Sequence, residues 1–562
     1  MQFFALSSLA LAAVLSGPQV TVVSSASSSA VPAAKVGATQ LPSRVAAGEV
    51  TPTSALLWAR PAVTGVVRFE VFNDAGLTEL VLDDQSFPAN GVQPAKIRVG
   101  GLVPGTRYWY RATDSAGNSD LGTFRTAHAP DARHGLVFGI SGDGRGDNLP
   151  FHSLRNAVDA ELDFFVYMGD TIYADIESPA LPGVEQAGNL RQFLLKHFEV
   201  LSPSPAGANY LGDLRATTAF YATIDDHEVT NDFAGGAHPS SHPLFGTLGD
   251  FINETPLFEA GLEAFERAYP VVTRFWGDTG NPRTAFKRKL YRSQDFGLDA
   301  AIFLLDARSF RDEPLESPNP TDLASIGTFL AQSFAPDRTM LGLAQVEQLE
   351  ADLLASHKRG VLWKFVLVPE PIQNLGPVQG QDRFEGYAAE RTRLLSFVVD
   401  NEIKNVVFVC ADIHGTVIND VTFQVGPGQP QIPTGAFEIS TGAVAFDKPF
   451  GPTVVDLASA AGLLSPLQVA FYDSLPLVAK DGFLQTVLDE NVTPFGYSAV
   501  GLQDSSIQVE VLEGGYVATH TWGWSEFEID ATTGQLTITT WGIPPFTDTV
   551  PTVQSRFRVT PK

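Results

Sequence analysis

Five apolar runs in the chain end in residues that bind cations or move protons. "LVFGIS" leads into Gly142-Asp143-Gly144-Arg145, and "FFVYM" into Gly169-Asp170, with Tyr173 and Asp175 behind. "FYATI" leads into Asp225-Asp226-His227-Glu228 and then Asn231. "DAAIFLL" leads into Asp306, Arg308 and Arg311, and "NVVFVCA" into Asp412-Ile413-His414. A single buried carboxylate can escape its charge by taking up a proton. Several gathered in one place repel one another and are better explained as ligands of shared cations. Hard oxygen donors with a few imidazoles and no thiolate cluster suit hard or borderline metals. Two such metals can hold a phosphoryl oxygen and lower the pKa of bound water until it becomes a nucleophile. In that chemistry His227, among acids, donates a proton to the leaving group or steadies the transition state. Arg145, Arg308 and Arg311 offer bidentate contacts to phosphate.

Each fragment alone has a plainer reading. "GD" after a strand is common turn chemistry, "DDHE" suits an exposed acidic turn, and Asp306 with Arg308 reads slightly better as a structural ion pair. Cys410 shares a strand face with Asp412 and reads as a small core residue. His128, His152, His238, His242 and His520 join no such group. The weight lies in the repeated position at strand ends, not in any one member.

The runs themselves are near-continuously apolar, as strands covered on both faces are. Together with "LWKFVLV" they alternate with helical patterns, such as Leu154, Val158 and Leu162 between Phe151 and Leu162, and "EGYAAERTRLLSFVVDNEI". This predicts an α/β domain whose binding crevice lies at the carboxyl edge of its strands. Residues 201–284, rich in Gly, Pro and aromatics, read as an insertion on the substrate side. "SEFEIDATTGQLTITTWGI" reads as a hairpin turning at "TTGQ". Before this domain, from about Pro42 to Thr126, short alternating runs predict a small β-sandwich of fibronectin type III character. Tyr108 and Tyr110, two apart, share its buried face.

The bulk numbers limit what else the chain does. Its 562 residues exceed one compact core, so two or more domains are expected. The formal net charge of −26 disfavours nucleic acid and anionic membranes as partners, while leaving small phosphate esters open at a local metal site. The first residues, "MQFFALSSLALAAVLSG", resemble the apolar part of a secretory signal and are short for a membrane span. One cysteine rules out an intrachain disulfide framework. The expected division is a signal peptide at 1–26, a tether at 27–41, the β-sandwich at 42–128, the catalytic domain at 134–545 and a tail at 546–562. The protein is expected to be exported and monomeric.

From "GEVTPTSALLWAR" through "SGDGRG", "DFFVYMGDTIYAD", "DDHEVTND", "LLDARSFRD", "VVFVCADIHG" and "FEISTGAVAFDKPFGP", the chain resembles the PhoD-type alkaline phosphatases of the calcineurin-like metallophosphoesterase superfamily. The resemblance implies an α/β fold: a two-sheet metallophosphatase sandwich flanked by helices, preceded by the small fibronectin III-like β-sandwich. It implies hydrolysis of phosphate mono- or diesters, with Fe(III) and Ca(II) as the expected metals and other divalent pairs open. Asp143, Asp170, Tyr173, Asp226, Asn231, Asp412 and His414 are the implied ligands, Asp170 bridging and Tyr173 as a phenolate. His227 is the implied catalytic imidazole; Asp226 and Asn231 serve the second metal or the phosphate, and Arg145 is a phosphate contact or a spacer. Where some relatives carry a metal-binding Cys, this chain has Gly142. Two other readings stand beside this one: a purple acid phosphatase-like enzyme, opposed by "DDHE" and "ADIH", and a secreted binding protein on a catalytically degenerate scaffold.

Overall fold

The computed structural model describes residues 41–319, 321–376 and 379–562. The expected signal peptide, and all of the tether but its last residue, lie outside them. Two large sheets form the body. In the first, three parallel strands β8 (Leu136–Gly144), β9 (Phe164–Met168) and β10 (Ala219–Thr223) lie at the centre. On one side antiparallel β20 (Trp522–Ile529), β21 (Leu536–Ile543), β22 (Thr552–Val559) and β18 (Val509–Glu513) continue it, and β17 (Ala443–Ala445) pairs with β8. In the second sheet β12 (Ala300–Leu304), β13 (Trp363–Leu367), β14 (Val406–Cys410) and β16 (Ile432–Ser440) run parallel. Strands β11 (Arg292–Phe296), β15 (Thr416–Phe423) and β19 (Val517–Ala518) complete it.

The sheets meet through aromatic side chains. Phe138 stacks on Phe164 at 4.6 Å and on Phe527 at 4.9 Å, and the ring of Phe365 meets it edge-on at 5.0 Å. Such pairs contribute about 1 kcal/mol each beyond their buried area. Every residue of β9, β10, β12, β13 and β14 is buried, as strands covered on both faces must be. Helices α1 (Leu190–Leu201), α2 (Tyr210–Thr217) and α3 (Pro256–Ala268) cover the outer face of the first sheet. Helices α5 (Leu343–Lys358) and α6 (Ala388–Asp400) cover that of the second, with α4 (Leu323–Ser333) against the turn at Phe384–Tyr387. Three further helices, α7 (Phe450–Ala460), α8 (Pro466–Ser474) and α9 (Leu477–Val492), form an excursion between β17 and β18. Among the described residues, no helix is long and apolar enough to cross a membrane.

The amino-terminal strands do not stand apart from this body. Strands β3 (Arg68–Phe72), β4 (Leu80–Gln85), β6 (Arg107–Thr113) and β7 (Ser119–Arg125) form a separate sheet in the order β4-β3-β6-β7. Strands β1 (Val45–Gly48), β2 (Ser54–Ala59) and β5 (Ala95–Gly100) instead extend the first large sheet, because β1 pairs in parallel with β10 at Ala47 and Ala219. Gly48 makes this approach possible: a Cβ there would come within 2.6 Å of the Phe220 carbonyl oxygen. The junction also covers the edge of β10 that would otherwise be unpaired. Tyr108 and Tyr110 are buried as expected and pack on Phe124.

Three expectations need correction. The segment from Phe151 to Leu162 forms two short 3-10 turns, His152–Leu154 and Ala157–Asp159, in place of one helix. Its polar groups are fastened elsewhere: Ser153 donates to the Val444 carbonyl at 2.5 Å, and Asn156 accepts the Trp524 indole N–H at 2.9 Å. Residues 201–284 are not one insertion, since α2, β10 and α3 are integral to the first sheet and its cover. The carboxyl-terminal segment 546–562 is no tail, because β22 pairs with both β21 and β18. The expected "TTGQ" hairpin is present, closed by Ile529 opposite Leu536.

Candidate metal centre

Strands β8, β9 and β10 of one sheet and β12, β13 and β14 of the other deliver their carboxyl ends to a common edge. The chain turns sharply there: Asp143, Asp170, Asp412 and His414 all have positive φ, between 49° and 62°. Non-glycine residues rarely adopt this conformation, and its clustering at strand ends is typical of strain held at functional sites. Gly169 lets two of these turns touch, since a Cβ on it would lie 2.6 Å from Asp225 Cβ.

Asp143, Asp170 and His414 each offer a ligand atom within 4.8 Å of the others, and so do Asp170, Asp226 and His227. Asp170 belongs to both groups. The Tyr173 hydroxyl lies 3.3 Å from His414 Nε2, and Phe446 packs against both rings. A third group, Asp225, Glu370 and Asp412, adjoins these on the second-sheet side. The His227 Nδ1 lies 2.6 Å from Asp175, whose other oxygen accepts the Asn231 backbone N–H at 2.8 Å.

The electrostatics show what this cluster lacks. Burial, then the neighbouring acids, push the carboxyls of Asp143, Asp170 and Asp412 well above their usual range. Burial and Asp170 do the same to the Tyr173 phenol. Burial opposes ionisation of Asp226 too, but Arg308 and His227 overcome it and hold its carboxyl below the usual range. Burial also opposes charge on His227, yet Asp226 and Asp175 raise its imidazole to about 9. His414 is driven down to about 3 by burial and by His227, so it is a neutral imidazole able to offer a lone pair. Asp143 Oδ2 and Glu370 Oε2 are buried, with no hydrogen-bond partner among the described residues. Orphaned buried oxygens, carboxylates that oppose one another and a neutral imidazole are the donor set a hard or borderline cation requires. The residues fit resident metal ions.

Of the residues singled out in the sequence, Asp143, Asp170, Tyr173, Asp226, His227 and His414 come together. Asp412 joins through the third group. Asn231 lies at the rim with an exposed side chain, and it is its backbone that is tied to Asp175. Arg145 also lies at the rim, bonded to Asp147 at 2.7 Å and to Asp447. Arg308 and Arg311 do not face a substrate. Both are fully buried, Arg308 binding Asp225 at 2.7 Å, Glu370 at 2.5 Å and Asp382 at 2.9 Å. Arg311 shares Glu370 and Asp382, each at 2.7 Å. Asp306 plays no part in that pairing through its charge; its carboxylate accepts the backbone N–H groups of Arg308 and Ser309. Two site residues escaped the sequence reading. Glu370 follows β13 by way of Pro369, so the strand-end rule would have found it, whereas Asp382 sits in a loop with no such signal.

Two stacked sheets with this carboxylate–imidazole cluster at their shared strand ends define an α/β sandwich built around a candidate metal centre. A family model for PhoD-like phosphatases matches residues 137–464, and one for the PhoD-like phosphatase N-terminal domain matches residues 25–128. The chain belongs to the PhoD-like phosphatase family. It is 24% identical to alkaline phosphatase D of Bacillus subtilis (strain 168) over 403 residues, covering 66% of this chain and 64% of that protein. The chain thus spans somewhat less than two thirds of that relative's length. A solved structure titled "Structure of PhoD" shares the fold, with a TM-score of 0.66 at 17% identity, over 93% of this chain and 90% of the other. Purple acid phosphatase PPD1 of yellow lupin aligns with a TM-score of 0.47 at 11% identity, over 92% of this chain and 73% of its own.

Proposed function

We propose that this chain is an exported, metal-dependent phosphatase that hydrolyses phosphate monoesters, diesters or both with water activated at a multinuclear site. One observation carries the reading: Asp170 offers ligand atoms within 4.8 Å of those of Asp143 and His414 on one side and of Asp226 on the other. In this reading Asp143, Asp170, Tyr173 and His414 hold one cation, and Asp170 and Asp226 the second, with Asp412 beside them and Asn231 at the rim toward the phosphate. Bound there, the cations would supply a Lewis-acidic hold on phosphoryl oxygen and a hydroxide nucleophile. Asp175 holds the His227 imidazole by Nδ1, which leaves Nε2 to donate a proton to the departing alkoxide. Arg145, at the rim beside the Phe446 ring, exchanges its aspartate partners for phosphate oxygens as substrate arrives. The phenol of Tyr173 is a donor suited to ferric iron and the family resemblance adds calcium, while the wholly oxygen-and-nitrogen donor set accepts other divalent pairs as well.

The packing of β1, β2 and β5 over β3, β4, β6 and β7 supports a fibronectin III-like amino-terminal unit at 42–128, whose core is continuous with that of a catalytic unit beginning at 134. The acidic surface supports a small phosphate ester rather than a nucleic acid as substrate, and we expect a monomer.

The test is release of product from an aryl phosphate monoester and a bis-aryl diester by purified protein, before and after chelation and metal reloading, with elemental analysis. Hydrolysis that vanishes on chelation and returns with metal is expected. A chain that takes up no metal, or hydrolyses neither ester when loaded, overturns the reading.

A further inference from the structure

Glu228 closes the "DDHE" motif but belongs to none of the ligand groups. It is fully buried. One of its oxygens accepts the Thr171 backbone N–H at 2.5 Å and the Thr171 hydroxyl at 2.6 Å. The other accepts the Asp225 backbone N–H at 2.8 Å. One carboxylate therefore spans two chain turns: that after β9, which carries Asp170, and that after β10, which carries Asp225 and Asp226. These turns already touch where Gly169 meets Asp225. On its far side Glu228 is backed by α3, where a Cβ at Gly261 would strike its carbonyl oxygen at 2.7 Å. The clamp is thus held from both directions.

We propose that Glu228 is a positioning residue that sets the spacing between the two cation subsites by clamping the Asp170 and Asp226 turns together. The proposal rests on the metal reading of the site. Asp170 sits in the left-handed region, where a non-glycine residue stays only if its surroundings over-determine it. Three hydrogen bonds converging on the residues either side of the Asp170–Asp226 pair supply that constraint. Cation affinity depends steeply on such outer partners, whose loss typically costs about 10- to 100-fold. The subsite built on both turns feels the clamp most. The Asp143–His414 side, carried by β8 and β14, feels it least.

The test is cation binding by titration calorimetry with Ca(II) and Mn(II), alongside thermal melting, for wild type, Thr171→Val, Glu228→Gln and Glu228→Ala. Thr171→Val removes one bond of three and is expected to weaken the cation of the Asp170–Asp226 subsite by less than the ~10-fold that loss of a whole outer partner costs. Glu228→Gln keeps the acceptor for one turn only and is expected to weaken it about 10-fold, and Glu228→Ala more. Leu353→Ala, in the core between α5 and the second sheet, is the control for a general stability loss. It should lower the melting temperature without changing cation affinity. Unchanged affinities in both Glu228→Gln and Thr171→Val, or a loss in Leu353→Ala of the same size as in Glu228→Gln, would overturn the positioning role. If wild type itself binds no cation, it is the metal reading that fails instead.

Discussion

The His227 Nδ1 lies 2.6 Å from an oxygen of Asp175, and the other oxygen of that carboxylate accepts the Asn231 N–H. Asp175 therefore ties the imidazole to the loop that follows it and selects which ring nitrogen faces the substrate. In Asp175→Asn the carboxamide can accept from only one of these donors and no longer stabilises an imidazolium. The expected result is a fall in kcat of about 100-fold or more with metal content unchanged, read by steady-state kinetics and elemental analysis. Equal loss of metal and activity would instead make Asp175 a ligand-supporting residue.

Asp170 serves two donor groups and Asp143 only one. Asp170→Asn should therefore remove more metal per chain than Asp143→Asn and abolish hydrolysis, while Asp143→Asn should keep the cation at the Asp226 side. Metal-to-protein ratios after exhaustive dialysis decide the order.

Much of this centre was legible in the sequence because strand ends are legible. An apolar run that breaks into Gly-Asp or Asp-Asp-His announces both a buried strand and the edge where it stops, and Asp143, Asp170, Asp226 and His414 were found that way. Partnership across the edge was not legible. In the sequence Arg308 reads slightly better as a partner of Asp306 two residues away than of a phosphate, yet it binds Asp225, Glu370 and Asp382, brought in from far along the chain. Only the stacking of the second sheet on the first decides that. The same limit applies to the fold. Alternation correctly gave the strands before Thr126, but nothing local to "SRVAAGEV" says that β1 pairs with β10 of the next unit.

The charge imbalance predicts how the metal-free protein responds to pH. The folded-state pKa values of Asp143, Asp170 and Asp412 lie above the ordinary carboxylate value, with burial the main cause. An acid raised on folding contributes stability that is present below its unfolded value and lost as pH rises through its folded one. Chelated protein should thus lose stability from mildly acid to alkaline pH, and reloading with metal should restore most of it on the alkaline side, by ligand linkage. Melting temperatures measured at pH 5 and pH 9 with and without metal test this. A metal-induced gain that is larger at pH 5 would contradict it.

Arg308 is fully buried among acids, so removing it strands their charge. Arg308→Met is expected to destabilise the fold by about 3–5 kcal/mol in urea unfolding, the typical cost of breaking a buried ion pair from one side. Arg308→Lys should recover only part, since a single ammonium cannot reproduce the fork that engages Asp225 and Asp382 together. Full rescue by lysine would show that charge alone matters there.

His197 on α1 makes a separate prediction, since it belongs to none of the ligand groups. It is fully buried, neither ring nitrogen has a hydrogen-bond partner among the described residues, and it packs against Phe265 and Tyr269. Burial, reinforced by Arg215, drives its imidazole down to about 3. The native state therefore keeps it neutral, while the unfolded chain takes up a proton below about pH 6.5. Its contribution is complete above that value and is lost as pH falls toward the folded one. At pH 5 the unfolded state gains about 2 kcal/mol from this proton alone. His197→Leu keeps the volume and removes the proton site. Measured against wild type in urea, the variant should gain about 2 kcal/mol in relative stability between pH 7.5 and pH 5. A difference between the two proteins that does not change with pH would show that His197 titrates in the folded state as freely as in the unfolded one.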